Sequence, residues 1–451
     1  MNIEKKLNIG LFIDTFYPMI DGVVSVVDNY AKRLVNYANV TVFTVAPRDK
    51  SYVDNFTYKV VRSQKIQLPN LDYDLPMPGF DAKFQKALKE SNLDIVHIHS
   101  PFSIGRVGVN YAKKHKIPLI ATNHSQFKQD FFKATNSPAL TEILLSNIMS
   151  VFNSCDENWS VNGEVAKIYA DYGLKNPAKV VRNATDMNFI ENINTVLDLK
   201  EKYNIKDDEK VLLFVGRIDI LKNVLFLLDS LVELRKKGFK FKMLFVGSGI
   251  DEDTLSKKIE ENNMSDVVKM VGRITDRNEL AKFYKLANLF LFPSMYDCSS
   301  LVQVEAASQK TPTLFLENST TSEGITDCFN GYLAKQDANE FANKIVAIFA
   351  DENKYNQVCE NCYNTVYTSW DSQIEKIFET YKKLIKEKKL HNRAVAEKAK
   401  YTKTIRAVQK NTQKMKEKLQ KKQSKIKKNA QKYPKTIKQI SNKRGTKYEW
   451  Y

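Results

Sequence analysis

Cysteine is scarce in this 451-residue chain, and the five present are scattered at Cys155, Cys298, Cys328, Cys359 and Cys362. That is no disulfide framework, and it suits a reducing cytoplasm. Cys359 and Cys362 form one CxxC, but a four-thiolate zinc site needs a second pair and the sequence has none. Their surroundings read as helix, without a thioredoxin-like context. No run of ~18 apolar residues exists, so no membrane-spanning helix is expected. The start, MNIEKKLNIGLFID, is apolar only from Leu7 to Ile13 and lacks a small-residue cleavage site, so no signal peptide is expected. GxxxxGK[ST] is missing too, which disfavours P-loop ATP hydrolysis. Acidic residues are sparse in one region. From Lys382 to Tyr451 there are 25 Lys/Arg and 4 Asp/Glu, a net +21, while the remainder carries −3. The basicity therefore belongs to an appendage on a nearly neutral globular part.

That globular part alternates short apolar runs with helical patterns. One set of expected strands is Leu7–Ile13, Val40–Ala46, Ile95–Ile98, Pro118–Thr122 and Glu157–Val161. A second is Val211–Val215, Lys242–Val246, Val268–Val271, Leu289–Phe292 and Thr313–Leu316. Continuously apolar strands joined by ten to twenty residues predict parallel sheets with helices on both faces, hence an α/β, doubly wound architecture. The polar stretch from Asn183 to Asn204 separates the two series. The expected organisation is 1–185 and 186–370 as two Rossmann-like domains, 371–390 as a helix packed across the joint and anchored by Trp370, and 391–451 as a Lys-rich tail. Ile405, Val408, Thr412, Met415, Leu419, Lys422, Ile426, Asn429 and Tyr433 follow a 3,4 spacing in that tail. Their apolar stripe is thin, which favours a basic amphipathic helix formed on a surface over a coiled coil.

Several loops carry candidate chemistry. Asp297 and Glu305, in FPSMYDCSSLVQVEAAS, are eight residues apart. Two helical turns separate them too far for the paired carboxylates of a glycosidase. The spacing suits two ends of one elongated ligand, or else a loop acid and a solvated helix acid. FVGRIDILKNV places Arg217 and Lys222 around a glycine turn before a helix, where cations and free N–H groups make a diphosphate site. FVGSG repeats strand, glycine turn and helix with Gly247 and Ser248, a weak signal by itself. Gly22, between a strand and a helix, either admits a ligand to the backbone or simply makes a turn. His97 and His99 share one face by alternation without a completing ligand nearby. His124 follows an expected strand, where either a ligand group or a structural histidine fits.

In this order, DTFYPMIDGVV, DIVHIHSPFSIG, ATNHS, VGRIDILKNV, VGSG and PSMYDCSSLVQVEAAS resemble a family-four retaining glycosyltransferase of the GT-B fold, over residues 7–390. The resemblance implies two Rossmann-like domains facing a cleft, and transfer with retention at the anomeric carbon without metal or cofactor. It implies that Arg217 and Lys222 hold the donor diphosphate and that Glu305 binds the ribose. His124 and Asp297 would stand beside the transferred sugar, with Gly22, Gly247, Ser248, Ser299, Ser300 and Leu301 completing the donor site. Two departures stand out: Asp297 replaces the usual Glu, and NATD (Asn183–Asp186) replaces NG-x-D.

DIVHIHSPFSIG most resembles lipid glucosyltransferases acting on diacylglycerol. Phe127, Lys128, Phe131, Phe132 and Lys133 interleave aromatics with lysines as an interfacial surface does, or else form a buried cluster. The expected activity is hexose transfer from a nucleotide sugar, UDP-glucose, to a lipid at the inner face of the cell membrane, by a cytoplasmic peripheral protein. Alternatives are a polyprenol-linked or polysaccharide acceptor, a nucleotide-sugar epimerase, or an inactive core with a nucleic-acid-binding tail.

Overall fold

In a computed structural model of the chain, residues 6–19, 21–67, 74–295, 297 and 301–432 are described. Among them, two parallel sheets carry residues up to Ile385. The first has the order Lys59–Ser63, Asn39–Val45, Asn8–Phe12, Ile95–Ile98, Leu119–Asn123, Glu157–Ser160, Lys179–Val180. The second runs Val268–Gly272, Phe241–Val246, Lys210–Val215, Leu289–Phe292, Thr313–Leu316, Tyr332–Ala334. Each reverses direction beside its first strand, the strand order of a Rossmann fold, and a crevice opens beyond the strands' carboxyl ends.

Alternation explains the burial. Ile9 and Leu11 pack into one core and Phe12 into another on the opposite face of the same sheet. Ile95 goes with the first core and Val96 and Ile98 with the second. Both faces are dry, so the strands read as unbroken apolar runs. The ten expected strands are all present, with no end shifted by more than one residue. Lys59–Ser63, Lys179–Val180 and Tyr332–Ala334 escaped the sequence reading. All three lie at or next to sheet edges and are short, or carry the lysine and arginine that an outer strand tolerates.

The polypeptide crosses between the sheets twice, side by side. Thr185 N–H donates to the Thr368 carbonyl (3.0 Å) and Trp370 N–H to the Thr185 carbonyl (3.1 Å). The helix that starts at Trp370 then returns to the first sheet. Trp370, Ile374, Ile377, Tyr381 and Leu384, spaced four and three apart, are buried in the core of that sheet. From Lys386 the residues form a separate unit, helical to Lys432 and almost wholly exposed. Val395, Val408, Met415, Leu419 and Ile426 are exposed along it among lysines. No described helix is long and apolar enough to cross a membrane. Cys359 and Cys362 lie on the helix Glu352–Val366, and burial raises both thiols, Cys359 to about 11.

Candidate active site

The carboxyl ends of both sheets deliver their loops to one open cleft of about 370 Å³. From the first sheet come Asp21, Gly22, His124, Gln129, Asp130 and Lys133, and from the second Arg217, Lys222, Ser294, Asp297 and Leu301. Gly22 begins the helix Gly22–Leu34, capped by the Asp21 carboxylate, which accepts from Val24 N–H at 2.7 Å. A Cβ added at Gly22 would meet nothing within 4 Å, so the space beside this helix start is open on the cleft side.

Opposite, strand Lys210–Val215 ends in the turn that carries Arg217 and Lys222. Asp219 organises this turn: its carboxylate accepts from Lys222 N–H at 3.0 Å and pairs with the Arg217 guanidinium. The turn rests directly on the next loop. Cβ atoms at Gly247 and Gly249 would lie 1.8 Å from the Gly216 carbonyl oxygen and 2.0 Å from that of Ile218. Gly247 also has φ +142°. The GxG spacing therefore serves backbone-on-backbone packing here, and it aligns the two loops. Behind them Gly216, Arg217, Gly247, Ser248, Arg273 and Ile274 line a second recess. Arg273 and Ile274 follow strand Val268–Gly272, and no motif marks them.

The two acids part company. Asp297 is at the cleft, where the Lys222 ammonium donates to Oδ1. Its Oδ2 is buried without a partner among the described residues. Glu305 is one helical turn beyond Leu301 and 3% exposed. There Tyr284 donates its hydroxyl to Oε2 (2.9 Å) and Arg277 donates to Oε1 (2.6 Å). Arg277 also reaches Asp186 of NATD at 2.9 Å, and Asp186 pairs with Lys32 of the helix Gly22–Leu34 at 3.6 Å. Sequence reasoning missed Arg277, whose 28-residue separation from Glu305 carries no pattern. Ser299 and Ser300 lie outside the described residues.

His124 follows strand Leu119–Asn123 and sits at the cleft, its ring nitrogen Nε2 3.0 Å from His99 Nδ1. Burial pushes His124 down to about 3 and also drives His97 and His99 well down, so all three stay neutral. The five acceptor-side residues divide. Phe127 and Phe131 stack (centroids 5.7 Å) and pack against the first sheet's core. Phe132 is 45% exposed, and Lys128 pairs with Glu142 of the helix Pro138–Phe152 at 2.9 Å. That second helix exposes Leu140, Ile143 and Leu144, an apolar face missed in the sequence.

Residues 20–189 match the family model Glycosyltransferase Family 4, and residues 196–365 match Glycosyl transferases group 1. The chain belongs to the family-four glycosyltransferases. The glycosyltransferase has the GT-B fold: it superimposes on Anabaena HepE, crystallised with UDP and glucose, with TM-score 0.64 and 16% identity, covering 83% of this chain and 99% of that one. Among its relatives is an alpha-monoglucosyldiacylglycerol synthase of Streptococcus pneumoniae, 25% identical over 72% of this chain and 75% of that protein. Another of the same name, from Acholeplasma laidlawii, is 26% identical over 72% of this chain and 84% of its own length.

Proposed function

We propose that this glycosyltransferase moves glucose from UDP-glucose to diacylglycerol at an anionic membrane surface, with retention at the anomeric carbon. The observation that carries the reading is the composition of the cleft. Three cations, Arg217, Lys222 and Lys133, line it beside the helix start at Gly22, and the helix Phe127–Thr135 that carries Lys133 joins Pro138–Phe152 in exposing apolar residues beside lysines. A diphosphate fits the first feature and a lipid acceptor the second. The names of the two relatives and the ligands of HepE agree with both halves.

The chemistry follows from the residues. Arg217, Lys222 and the helix starts stabilise the departing nucleoside diphosphate electrostatically. Asp297, neutralised by Lys222, is a poor nucleophile and a good acceptor for a sugar hydroxyl. Without a protein nucleophile, the acceptor hydroxyl attacks from the leaving group's side and passes its proton to a donor phosphate oxygen. Glu305 takes the ribose hydroxyls once Arg277 yields its place. No step calls on a metal or cofactor.

The test is incubation with UDP-, GDP- and ADP-sugars and liposomes containing diacylglycerol. A new glucosyl lipid with UDP-glucose is expected. Hydrolysis alone, or product only with a polyprenol-phosphate or polysaccharide acceptor, overturns the acceptor. Isomerised sugar nucleotide without added acceptor overturns the transfer.

A further inference from the structure

Three histidines stand in file behind the cleft wall. His97 lies in strand Ile95–Ile98, His99 follows it, and His124 follows the neighbouring strand. Ring centroids are 4.1 Å apart for His97 and His99, and 5.3 Å for His99 and His124. His97 is satisfied on both sides: Nδ1 meets the Tyr381 hydroxyl at 2.6 Å and Nε2 the Thr122 hydroxyl at 2.7 Å. His99 is different. Its Nδ1 shares one hydrogen bond with His124 Nε2 at 3.0 Å, and its Nε2 is buried with no partner among the described residues. An N···N separation of 3.0 Å leaves no room for an ion between two nitrogens that would each need about 2.0–2.1 Å.

Two neutral imidazoles joined by one hydrogen bond have two possible arrangements. If His124 Nε2–H donates, His99 must carry its proton on Nε2, a buried N–H without an acceptor. If His99 Nδ1–H donates, its Nε2 is only a bare lone pair. Orphaned buried donors are rarer than under-satisfied acceptors, so the second arrangement is preferred. It leaves the His124 proton on Nδ1, the one ring nitrogen not already bonded to His99. We propose that His99 is a positioning residue that fixes His124 as its Nδ1–H tautomer, so that His124 presents a hydrogen-bond donor to an oxygen of the bound sugar. The link to the sugar rests on the function proposed above, but the tautomer does not.

The measurement is two-bond proton–nitrogen correlation on the full chain labelled with ¹⁵N-histidine, which has five histidines to assign. The His124 signals should show the Nδ1–H form. His99→Leu should return His124 toward the Nε2–H form that free imidazole favours in water. It should also lower kcat about 10- to 100-fold with little change in donor KM, the scale seen when a partner orienting a metal-bound histidine is lost, taken here as the analogue. His99→Asn places an amide N–H where Nδ1–H was and should restore both the tautomer and most of the rate. An Nε2–H signal for His124 in the unmutated protein overturns the proposal. So does a tautomer that ignores His99→Leu in a variant whose spectrum is otherwise folded. The expected spectrum without turnover of any sugar nucleotide upholds the positioning role and overturns the transferase reading instead.

Discussion

The Lys222 ammonium is bound to one oxygen of Asp297, and the other oxygen of that carboxylate is buried with nothing among the described residues to accept from. The pair links two loops that line the cleft. In the proposed complex Lys222 would stay on Asp297 Oδ1 while reaching the diphosphate, and Oδ2 would accept from a sugar hydroxyl. Lys222→Ala removes the cation and strands the carboxylate. We expect kcat/KM to fall by about 100- to 1,000-fold, the cost of losing one preorganised donor to a developing anion. Calorimetry with UDP should show weaker binding. Near-normal turnover would count against the assignment. Asp297→Glu keeps the charge and adds one methylene of reach, so it should stay within about tenfold of the parent, while Asp297→Ala should be inactive.

Arg277 is shared between Glu305 and Asp186, and Asp186 extends the network to Lys32. Glu305 is nearly sealed from solvent, with 4% of its side chain exposed, whereas that of Arg277 is 45% exposed. Arg277→Met leaves Glu305 with only Tyr284. Removing one partner of a buried pair costs several kcal/mol, and the half-exposed arginine reduces this to about 1–3 kcal/mol. A thermal melt should move down by a few degrees. Adding Glu305→Gln to that variant should recover part of the loss, because an amide does not need the cation. A double variant no more stable than the single one would refute the electrostatic explanation.

The sheets were legible because both faces of each are buried, which makes Leu289–Phe292 or Lys210–Val215 read as unbroken apolar runs. The place of Arg217 and Lys222 at the cleft was legible because the turn after a buried parallel strand opens at the sheet's carboxyl end. Pairings across the fold were not. His99 meets His124, and Arg277 meets Glu305, only because strands and helices distant in sequence become neighbours. Gly247 is expected from sequence in the donor site, whereas in the structure it and Gly249 are first of all the residues that allow contact with Gly216 and Ile218. The exposed Leu140, Ile143 and Leu144 look in sequence like any core helix.

His97, His99 and His124 are held neutral by burial in the folded chain, with values pushed below the ordinary 6.5. In the unfolded chain they take up protons near pH 6.5. Below that pH the unfolded state binds more protons, so acid destabilises the fold. The limiting slope is about 1.4 kcal/mol per pH unit for each such histidine. The melting temperature should therefore fall between pH 7 and 5, before ordinary carboxylates titrate. It should be flat above about pH 7.5. A melting temperature unchanged from pH 7.5 to 5 would show that these rings are not held neutral.

The lysine-rich helix beyond Lys386 and the apolar face of Leu140, Ile143 and Leu144 should contribute to membrane docking in separable ways. Each lysine near an anionic surface is worth about 1 kcal/mol, and that attraction is screened within a Debye length, whereas apolar insertion is insensitive to salt. Removing residues 391–451 should weaken sedimentation with anionic vesicles most at low salt. Ile143→Asp should weaken it at every salt concentration while leaving binding of UDP intact. The truncated chain should still glucosylate diacylglycerol dispersed in detergent, since no residue of the cleft is lost. If truncation left vesicle binding unchanged but abolished retention of RNA, the tail would be a nucleic-acid arm and docking would fall to the Leu140–Leu144 face alone.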